Sequence, residues 1–563
     1  MPVGARSMLQ TGEWLIPKVG QEEFLRKPPL PFWLVAVSSY LVDAPEQSLP
    51  VSPMAARFPS AIAAILSVLV VYAIGQSMFG HRTGLVSGAV MASSAGTLFF
   101  AHNAQVEMVL TFFSTSAVAC FWFATEQNKS GRTWSALFYL SLAMAMLAKA
   151  PLPMATVVLP LFVWWLLTVP LSRLAESGET PAETTDPPSR LAILKRQIHR
   201  FRKCRPIPGL FVFLLLFLPW PLYVYFTRSG MLDLWHLEFL DRYTGELSGL
   251  DHSYLYYIPI ALGLVFPYSL SLPAALVSGF LRSHDHQRRG LRFAFTWVVV
   301  QFVFLSTSAF KRPHYLIGAL PGMALLLGPT VDRFFFDARE VSRNRLWIGG
   351  IAILAILTVG LGLAWREVSR YVPEVLPTFG SSAALLVVGC IACFTMYALR
   401  KRTTSFVVLL ATSVLTFAWS WDSVGQRGVL NQRMVDLMKE LQTTTIGPAD
   451  HLTWVAGRPD ARIIYYMGLD VRPLFTALEL APQRDGRRTV PKEVINKAME
   501  VIGERLKSDR KEYFIVKGQY WDLLSSGINA LASVICRVPG EWNDPKDDWI
   551  LFTNSWNRSW VKR

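Results

Sequence analysis

The chain has 563 residues, of which 52% are hydrophobic and only 17% charged. A soluble protein carries about 25% charged residues, so this composition, with its positive mean hydropathy, excludes a cytosolic enzyme, a disordered chain and a secreted disulfide scaffold. The formal net charge of +15 fits positively charged cytoplasmic loops, with no nucleic-acid partner needed to explain it.

In chain order, residues 1–53 read as an outer-face loop. It contains an apolar run, Leu30 to Val42, that is too short to span and rich in Phe, Trp and Tyr, which predicts an interfacial helix. A membrane region follows over 54–424. A hydrocarbon core of about 30 Å needs about 20 apolar residues per helix, which gives about twelve spans. They lie near 54–79, 83–101, 106–126, 133–149, 151–170, 207–227, 254–281, 292–310, 313–330, 347–365, 380–399 and 404–424. The loop at 171–206 is polar, Pro-rich at its start and basic at its end, as in a flexible linker. From 425 to 563 charges return, and short β-rich runs (Ala461 to Met467, Tyr513 to Val516, Trp549 to Phe552) alternate with a helical pattern over Lys492 to Leu506. This predicts a small C-terminal extracytoplasmic α/β domain.

Cations set the direction of the spans. Arg82, the basic group from Arg190 to Arg205, Arg288, Arg289, Arg292 and the run Arg400-Lys401-Arg402 fall in alternate loops, which are therefore cytoplasmic. The opposite loops hold only Lys149, Arg228, Arg242, Lys311, Arg312, Arg366 and Arg370, and cations held against that bias need a local reason. This sidedness places residues 1–53 and the tail outside. Carrying a polar N-terminal stretch across the bilayer requires a helix upstream of it, so a first helix preceding Met1 is expected. The five cysteines sit mostly in or beside apolar runs, and the Cys390/Cys393 pair lacks a His or acidic neighbour. Packed thiols are expected, without disulfide or zinc chemistry.

Ionisable residues such as Arg57, Glu107, Glu126 and Asp422 sit at span ends. A transporter or flippase would instead place charges near mid-span or pair discontinuous helices. Charged and hydroxylated side chains gather in the outer loops, which suits an enzyme working at the water boundary. Lys27 precedes Pro28 and Pro29, which start the interfacial helix; its plainest role is that of an interfacial anchor. Glu107 opens the third span, where an acid also complements the helix dipole.

Ala5-Arg6, Met8-Leu9, Thr11-Gly12, Trp14-Leu15 and Pro17 are followed by Lys27-Pro28-Pro29-Leu30, Phe32-Trp33 and Arg57-Phe58-Pro59-Ser60. Further along come Leu147-Ala148-Lys149, Pro219-Trp220-Pro221, Glu238 to Tyr243, His252 before Tyr256-Tyr257, and Lys311 to Tyr315. In this order the motifs resemble the aminoarabinose transferase and protein O-mannosyltransferase group of the GT-C glycosyltransferases.

The resemblance implies a polytopic bacterial inner-membrane enzyme, with thirteen spans in the full family fold and its C-terminal domain on the periplasmic side. It would move a sugar from a polyprenyl-phosphate donor to a hydroxyl of a lipid A-like molecule, another glycolipid or a protein, among membrane lipids. Phosphate leaves readily, so the chemistry needs cations for the leaving group and a base for the hydroxyl. Lys27, Arg242, Lys311 and Arg312 are the implied phosphate clamp, with anionic headgroup binding as the simpler role for each. Glu107 is the implied catalytic or acceptor-orienting carboxylate. Arg26, Glu238, His252, Tyr256, Tyr257, His314 and Tyr315 are assigned to substrate binding; Glu238 could equally pair with Arg242, and the tyrosines could be interface anchors. The principal acid of the family lies upstream of the residues matching Ala5 and Arg6. Members of the aminoarabinose type hold a metal through a Glu before Lys-Pro-Pro and a His after the later Glu. Arg26 and Phe239 stand there, so no metal cofactor is expected and Arg26 supplies the positive charge instead. The competing readings are a relative that binds polyprenyl phosphate or envelope glycolipid without turnover, and a polysaccharide flippase or polymerase.

Overall fold

The structure is a computed structural model. It describes residues 1–19, 22–43, 51–126, 131–176, 202–236, 242–244, 253–281, 285–337, 359–370, 375–426, 451–455, 471–474, 492–507, 512–529, 531–538 and 548–554. Glu238, Phe239, His252, the Ala461 to Met467 run, the start of the 347–365 span and most of the polar linker lie outside these residues.

The N-terminal region opens with helix α1 (Pro2–Thr11), closed by Gly12 at φ 72°, a conformation that glycine takes without strain. Strands β1 (Lys18–Val19) and β2 (Glu22–Glu23) pair antiparallel. Helix α2 (Leu30–Val42) coincides with the short apolar run. Tryptophan indoles staple this region to its surroundings. Trp33 Nε1 donates to Trp14 O at 2.6 Å, Trp220 Nε1 to Leu15 O at 2.9 Å and Trp235 Nε1 to Leu25 O at 3.3 Å. Each such bond contributes about 1 kcal/mol and fixes a loop backbone that has no ladder of its own.

The membrane region contains α3 (Pro53–Phe79), α4 (His81–Ser93), α5 (Ala95–Ala101), α6 (Glu107–Glu126) and α7 (Gly131–Lys149), then a π turn (Met154–Val158) leading into α8 (Leu159–Glu176). It continues with α9 (Pro206–Phe217), α10 (Pro219–Thr227), α11 (Met231–His236), α12 (Tyr257–Leu264), α13 (Leu272–Leu281) and α14 (Asp285–Thr307). A 3-10 segment (Pro313–Ala319) runs into α15 (Leu320–Phe336), followed by α16 (Leu376–Ala398) and α17 (Arg402–Gln426). Among the described residues six helices are long and apolar enough to cross a membrane, or eight if each bent pair is one span.

Two runs that read as single spans are bent. α4 and α5 meet at 56°, and α9 and α10 at 44°. The 254–281 run, read as one span, breaks into α12 and α13 around Pro267, which lacks an N–H and disfavours a helical residue before it. Discontinuous helices are therefore present, contrary to the sequence expectation, and two of the breaks meet: Ala95 N donates to Phe266 O at 2.9 Å. Hydroxyls close the junction, with Tyr268 and Ser93 2.8 Å apart and Ser413 Oγ donating to Ser93 O at 2.6 Å. Backbone groups freed at membrane depth are satisfied inside the protein.

Small residues bring helices into backbone contact, as packing in lipid requires. A Cβ on Gly84 would lie 2.5 Å from Gln76 N, and one on Gly328 only 1.9 Å from Ser87 Oγ. The resulting α3–α4–α15 core also buries Asp332. That carboxylate accepts Arg82 Nε at 2.8 Å and Thr83 Oγ1 at 2.8 Å, at the end of the bundle opposite Glu107.

The C-terminal region forms a five-stranded sheet. Its strands are β3 (His451–Trp454), β4 (Val471–Pro473), β5 (Glu512–Lys517), β6 (Ala532–Val538) and β7 (Trp549–Asn554), in the order β4-β3-β5-β7-β6. β3 pairs parallel with β4 and β5, whereas β5–β7 and β7–β6 are antiparallel. Helices α18 (Lys492–Leu506) and α19 (Gly518–Ile528) cover one face, packing Ile502, Leu506 and Ile528 against Phe514, Val516 and Phe552. The other face carries Leu452, Trp454, Tyr513, Ile515 and Leu551, and it packs against Val3 of α1 and Val19 of β1. The sheet is thus buried on both faces, with the N-terminal region as its second cover.

Candidate functional site

The site lies where the N-terminus of α6, the C-terminus of α7 and the 3-10 entry to α15 converge. Glu107 is the first residue of α6 and Lys149 the last of α7. The antiparallel α6–α7 pair therefore brings residues 42 apart in sequence to a single point, where Lys149 Nζ donates to Glu107 Oε1 at 2.9 Å. Both side chains are largely buried, at 12% and 7% exposure. His314 Nε2 approaches the same carboxylate oxygen at 3.7 Å, beyond hydrogen-bond length. Lys149 also sits 4.9 Å from the centre of the Tyr315 ring, and Tyr315 packs edge-on against His314 at 4.8 Å. Glu107 is therefore held by a cation, an imidazole and its own helix dipole.

Cations surround this cluster. Lys27 and Arg312 lie within electrostatic reach of the His314 ring. Pro28 and Pro29 are buried and lead into α2, which positions half-buried Lys27 and Arg26 beside the cluster's edge. Lys311 is buried at 6% exposure, donates to Ser308 O at 2.6 Å and lies 5.6 Å from the Tyr254 ring centre. Arg312 is exposed, with its guanidinium 4.9 Å from the Phe310 ring centre. Tyr257, fully buried, is locked to the Arg312 backbone: its hydroxyl donates to Arg312 O at 3.2 Å and accepts from Arg312 N at 3.3 Å. Tyr256 packs edge-on against Tyr257 at 5.1 Å. Arg242 begins a single helical turn, Arg242–Thr244, whose backbone meets the same loop through Ala309 N donating to Tyr243 O at 3.0 Å. The Arg242 side chain lies outside the described residues.

Two outer cations that defied the sidedness rule thus find carboxylates: Lys149 finds Glu107, and Arg228 grips Glu23 with Nε and Nη2 at 2.6 and 2.7 Å. The Arg228 hydrogen bonds hold the Glu23 carboxyl below its ordinary range despite partial burial. The structure adds Lys149 to the candidate residues. Its position at a span end, on the outer side and against the charge bias, was the available signal; its partner was not. Among the described residues, no three of His, Cys, Asp and Glu come together to hold a metal. Arg26 carries a permanently cationic side chain, which does not coordinate a metal.

Residues 26–178 match the family of dolichyl-phosphate-mannose-protein mannosyltransferases. The chain is 24% identical, over 82% of its length and 79% of the relative's, to an undecaprenyl phosphate-alpha-4-amino-4-deoxy-L-arabinose arabinosyl transferase of Pseudomonas fluorescens. It is 26% identical to a transferase of the same description from Proteus mirabilis, over 63% of this chain and 60% of that one. In fold it resembles ArnT from Cupriavidus metallidurans bound to undecaprenyl phosphate, with a TM-score of 0.75 and 18% identity over 98% of this chain and 92% of that one. The chain thus shares its fold with that structure, and its residues 26–178 are similar to a mannosyltransferase family. Both relatives carry the description of aminoarabinose transferases.

Proposed function

We propose that the protein moves a sugar from a polyprenyl-phosphate donor to a hydroxyl of a lipid A-like molecule, another glycolipid or a protein on the outer face of a bacterial inner membrane. The observation that carries this reading is the convergence of Glu107, Lys149 and His314, with Lys27 and Arg312 in electrostatic reach, at one end of the helical bundle. Dense positive charge around a single carboxylate suits a leaving phosphate beside a hydroxyl that must lose a proton. The relatives' names, which specify undecaprenyl phosphate-linked aminoarabinose, support a lipid-phosphate donor.

On this reading the bond between the sugar's anomeric carbon and the phosphate oxygen breaks, with its electron pair leaving on phosphate. The acceptor oxygen bonds to the same carbon, and its proton passes to a carboxylate. Lys27, Arg242, Lys311 and Arg312 hold the phosphate, and Arg26 adds charge at the loop. Glu107 takes the proton or orients the acceptor, with Lys149 and His314 holding it in place. Tyr256 and Tyr315 wall the sugar side, buried Tyr257 holds the Arg312 backbone in place, and Glu238 and His252 are assigned to the same pocket from the resemblance. The residues present do not fit the metal of the aminoarabinose type, so no step here uses one.

The test is mass spectrometry of envelope lipids and glycoproteins from cells with and without the gene, repeated with Glu107→Gln. A species that gains a pentose or hexose mass with the gene and loses it with the variant supports the proposal. Purified protein that retains polyprenyl phosphate while the gene changes no envelope species would favour binding without turnover.

A further inference from the structure

A second feature lies at the end of the bundle away from Glu107. Helices α6, α7, α8 and α9 enclose a cleft of about 460 Å³, walled by Phe121, Tyr139, Leu142, Phe162, Trp165 and Leu210 among other apolar residues. Phe162 and Leu210 stand on its rim at 52% and 51% exposure, so the cleft opens sideways toward lipid. From Met154 in the π turn to Trp165 in α8 its wall rises about 15 Å at up to 1.5 Å per residue, the depth of one leaflet, half of about 30 Å.

The cleft reaches the far end of the bundle at Thr125 and Cys204, both in its lining. The segments bordering that mouth carry Arg132 at the start of α7 and Arg202, Lys203 and Arg205 just before α9. Ser135 Oγ draws the two groups together by donating to Gly131 O at 2.6 Å and Lys203 O at 2.8 Å. The backbone of α6 ends at Glu126 on the same side. The mouth is therefore positive, while the wall behind it is apolar for the length of one acyl chain.

We infer that this cleft binds an anionic phospholipid of the leaflet opposite the candidate site, with one acyl chain between α7 and α8 and its phosphodiester on Arg132 and Arg205. Charge complementarity selects the anionic headgroup, and the leaflet-deep apolar wall selects a diacyl lipid over a soluble phosphate. The ligand differs in leaflet and location from the donor proposed above, so failure of either reading leaves the other standing.

The test uses the delipidated full chain in detergent, titrated with palmitoyl-oleoyl-phosphatidylglycerol or palmitoyl-oleoyl-phosphatidylcholine and read by native mass spectrometry. The wild type should retain one phosphatidylglycerol more tightly than phosphatidylcholine. Arg132→Ala/Arg205→Ala should weaken phosphatidylglycerol binding about 25-fold, about 5-fold for each cation, and leave phosphatidylcholine unchanged. Leu210→Trp, on the open rim where an indole fills the cleft without entering the packed core, should weaken both. Unfolding midpoints without added lipid check that each variant is folded. Equal retention of the two lipids, or unchanged binding in either folded variant, overturns the inference; so does saturation by inorganic phosphate alone.

Discussion

The Glu107–Lys149 pair offers the sharpest test, because removing either partner has a different consequence from removing both. Lys149→Met leaves a carboxylate at 7% exposure that loses its one direct cation and keeps the N-terminus of α6 and the His314 ring, 3.7 Å away. Breaking a buried pair in this way costs about 3 kcal/mol. Glu107→Gln is milder: Lys149 keeps its contact with the Tyr315 ring at 4.9 Å, and the loss should be about 2 kcal/mol. In Glu107→Gln/Lys149→Met neither charge is left buried, and stability should return to within about 1 kcal/mol of the parent, a coupling of roughly 4 kcal/mol. Unfolding free energies from SDS titration in mixed micelles measure all four proteins. Strictly additive single losses would refute the claim that the two side chains form one buried unit.

Transfer activity then separates structure from chemistry. If Glu107 takes the acceptor proton, the double variant should be nearly as stable as the parent yet at least about 100-fold slower, since general-base catalysis contributes on that scale. Activity that recovers along with stability would show that the pair is architectural and would remove Glu107 from the mechanism.

Further outcomes follow from the surrounding contacts. Arg26→Ala should sharply reduce transfer, while Arg26→Lys, which keeps the charge, retains more of it; unchanged turnover in the alanine variant would eliminate Arg26 as a substitute for the family metal. The Glu23–Arg228 pair should make stability depend on pH. Because the folded carboxyl titrates below its ordinary value of 4.5, the stabilisation is fully present above 4.5 and disappears as pH falls through the lower folded value. The unfolding gap between wild type and Arg228→Met should accordingly close under acid; a gap independent of pH contradicts the pairing. Trp454→Ala removes a large side chain from the sheet face packed on Val3 and Val19 and should cost about 3 kcal/mol. It should also speed proteolytic separation of the C-terminal region from the bundle; cleavage kinetics equal to those of the wild type would mean that the sheet is not anchored there.

Apolar run length and charge bias made much of the architecture legible. Leu30 to Val42 and Lys492 to Leu506 coincide with α2 and α18, because a short aromatic-rich run and a clean 3.6-residue period each have one good solution. The breaks at Ser94 and around Pro267 were not legible, since an apolar count cannot tell a straight helix from two short ones whose exposed backbone groups satisfy each other across the bundle. β3 and β4 escaped detection for another reason. They are only four and three residues long, and a sheet buried on both faces loses the alternation that marks a strand.

The same distinction governs the site. Sidedness alone identified Lys149, Arg228, Lys311 and Arg312 as outer cations in need of a reason, but their partners are set by tertiary contact. Arg228 meets Glu23 across 205 residues of sequence, and Lys149 meets Glu107 across the α6–α7 turn. Glu23 extends β2, whose partner β1 carries Val19 into the cover of the C-terminal sheet. The loop bearing Arg26 and Lys27 follows that hairpin directly. One side of it is therefore clamped to the bundle by Arg228 and the indoles of Trp220 and Trp235, and the other is covered by the C-terminal sheet. A cationic loop held from both sides keeps its charges placed before a phosphate arrives, and that preorganisation makes electrostatic stabilisation of a leaving group effective.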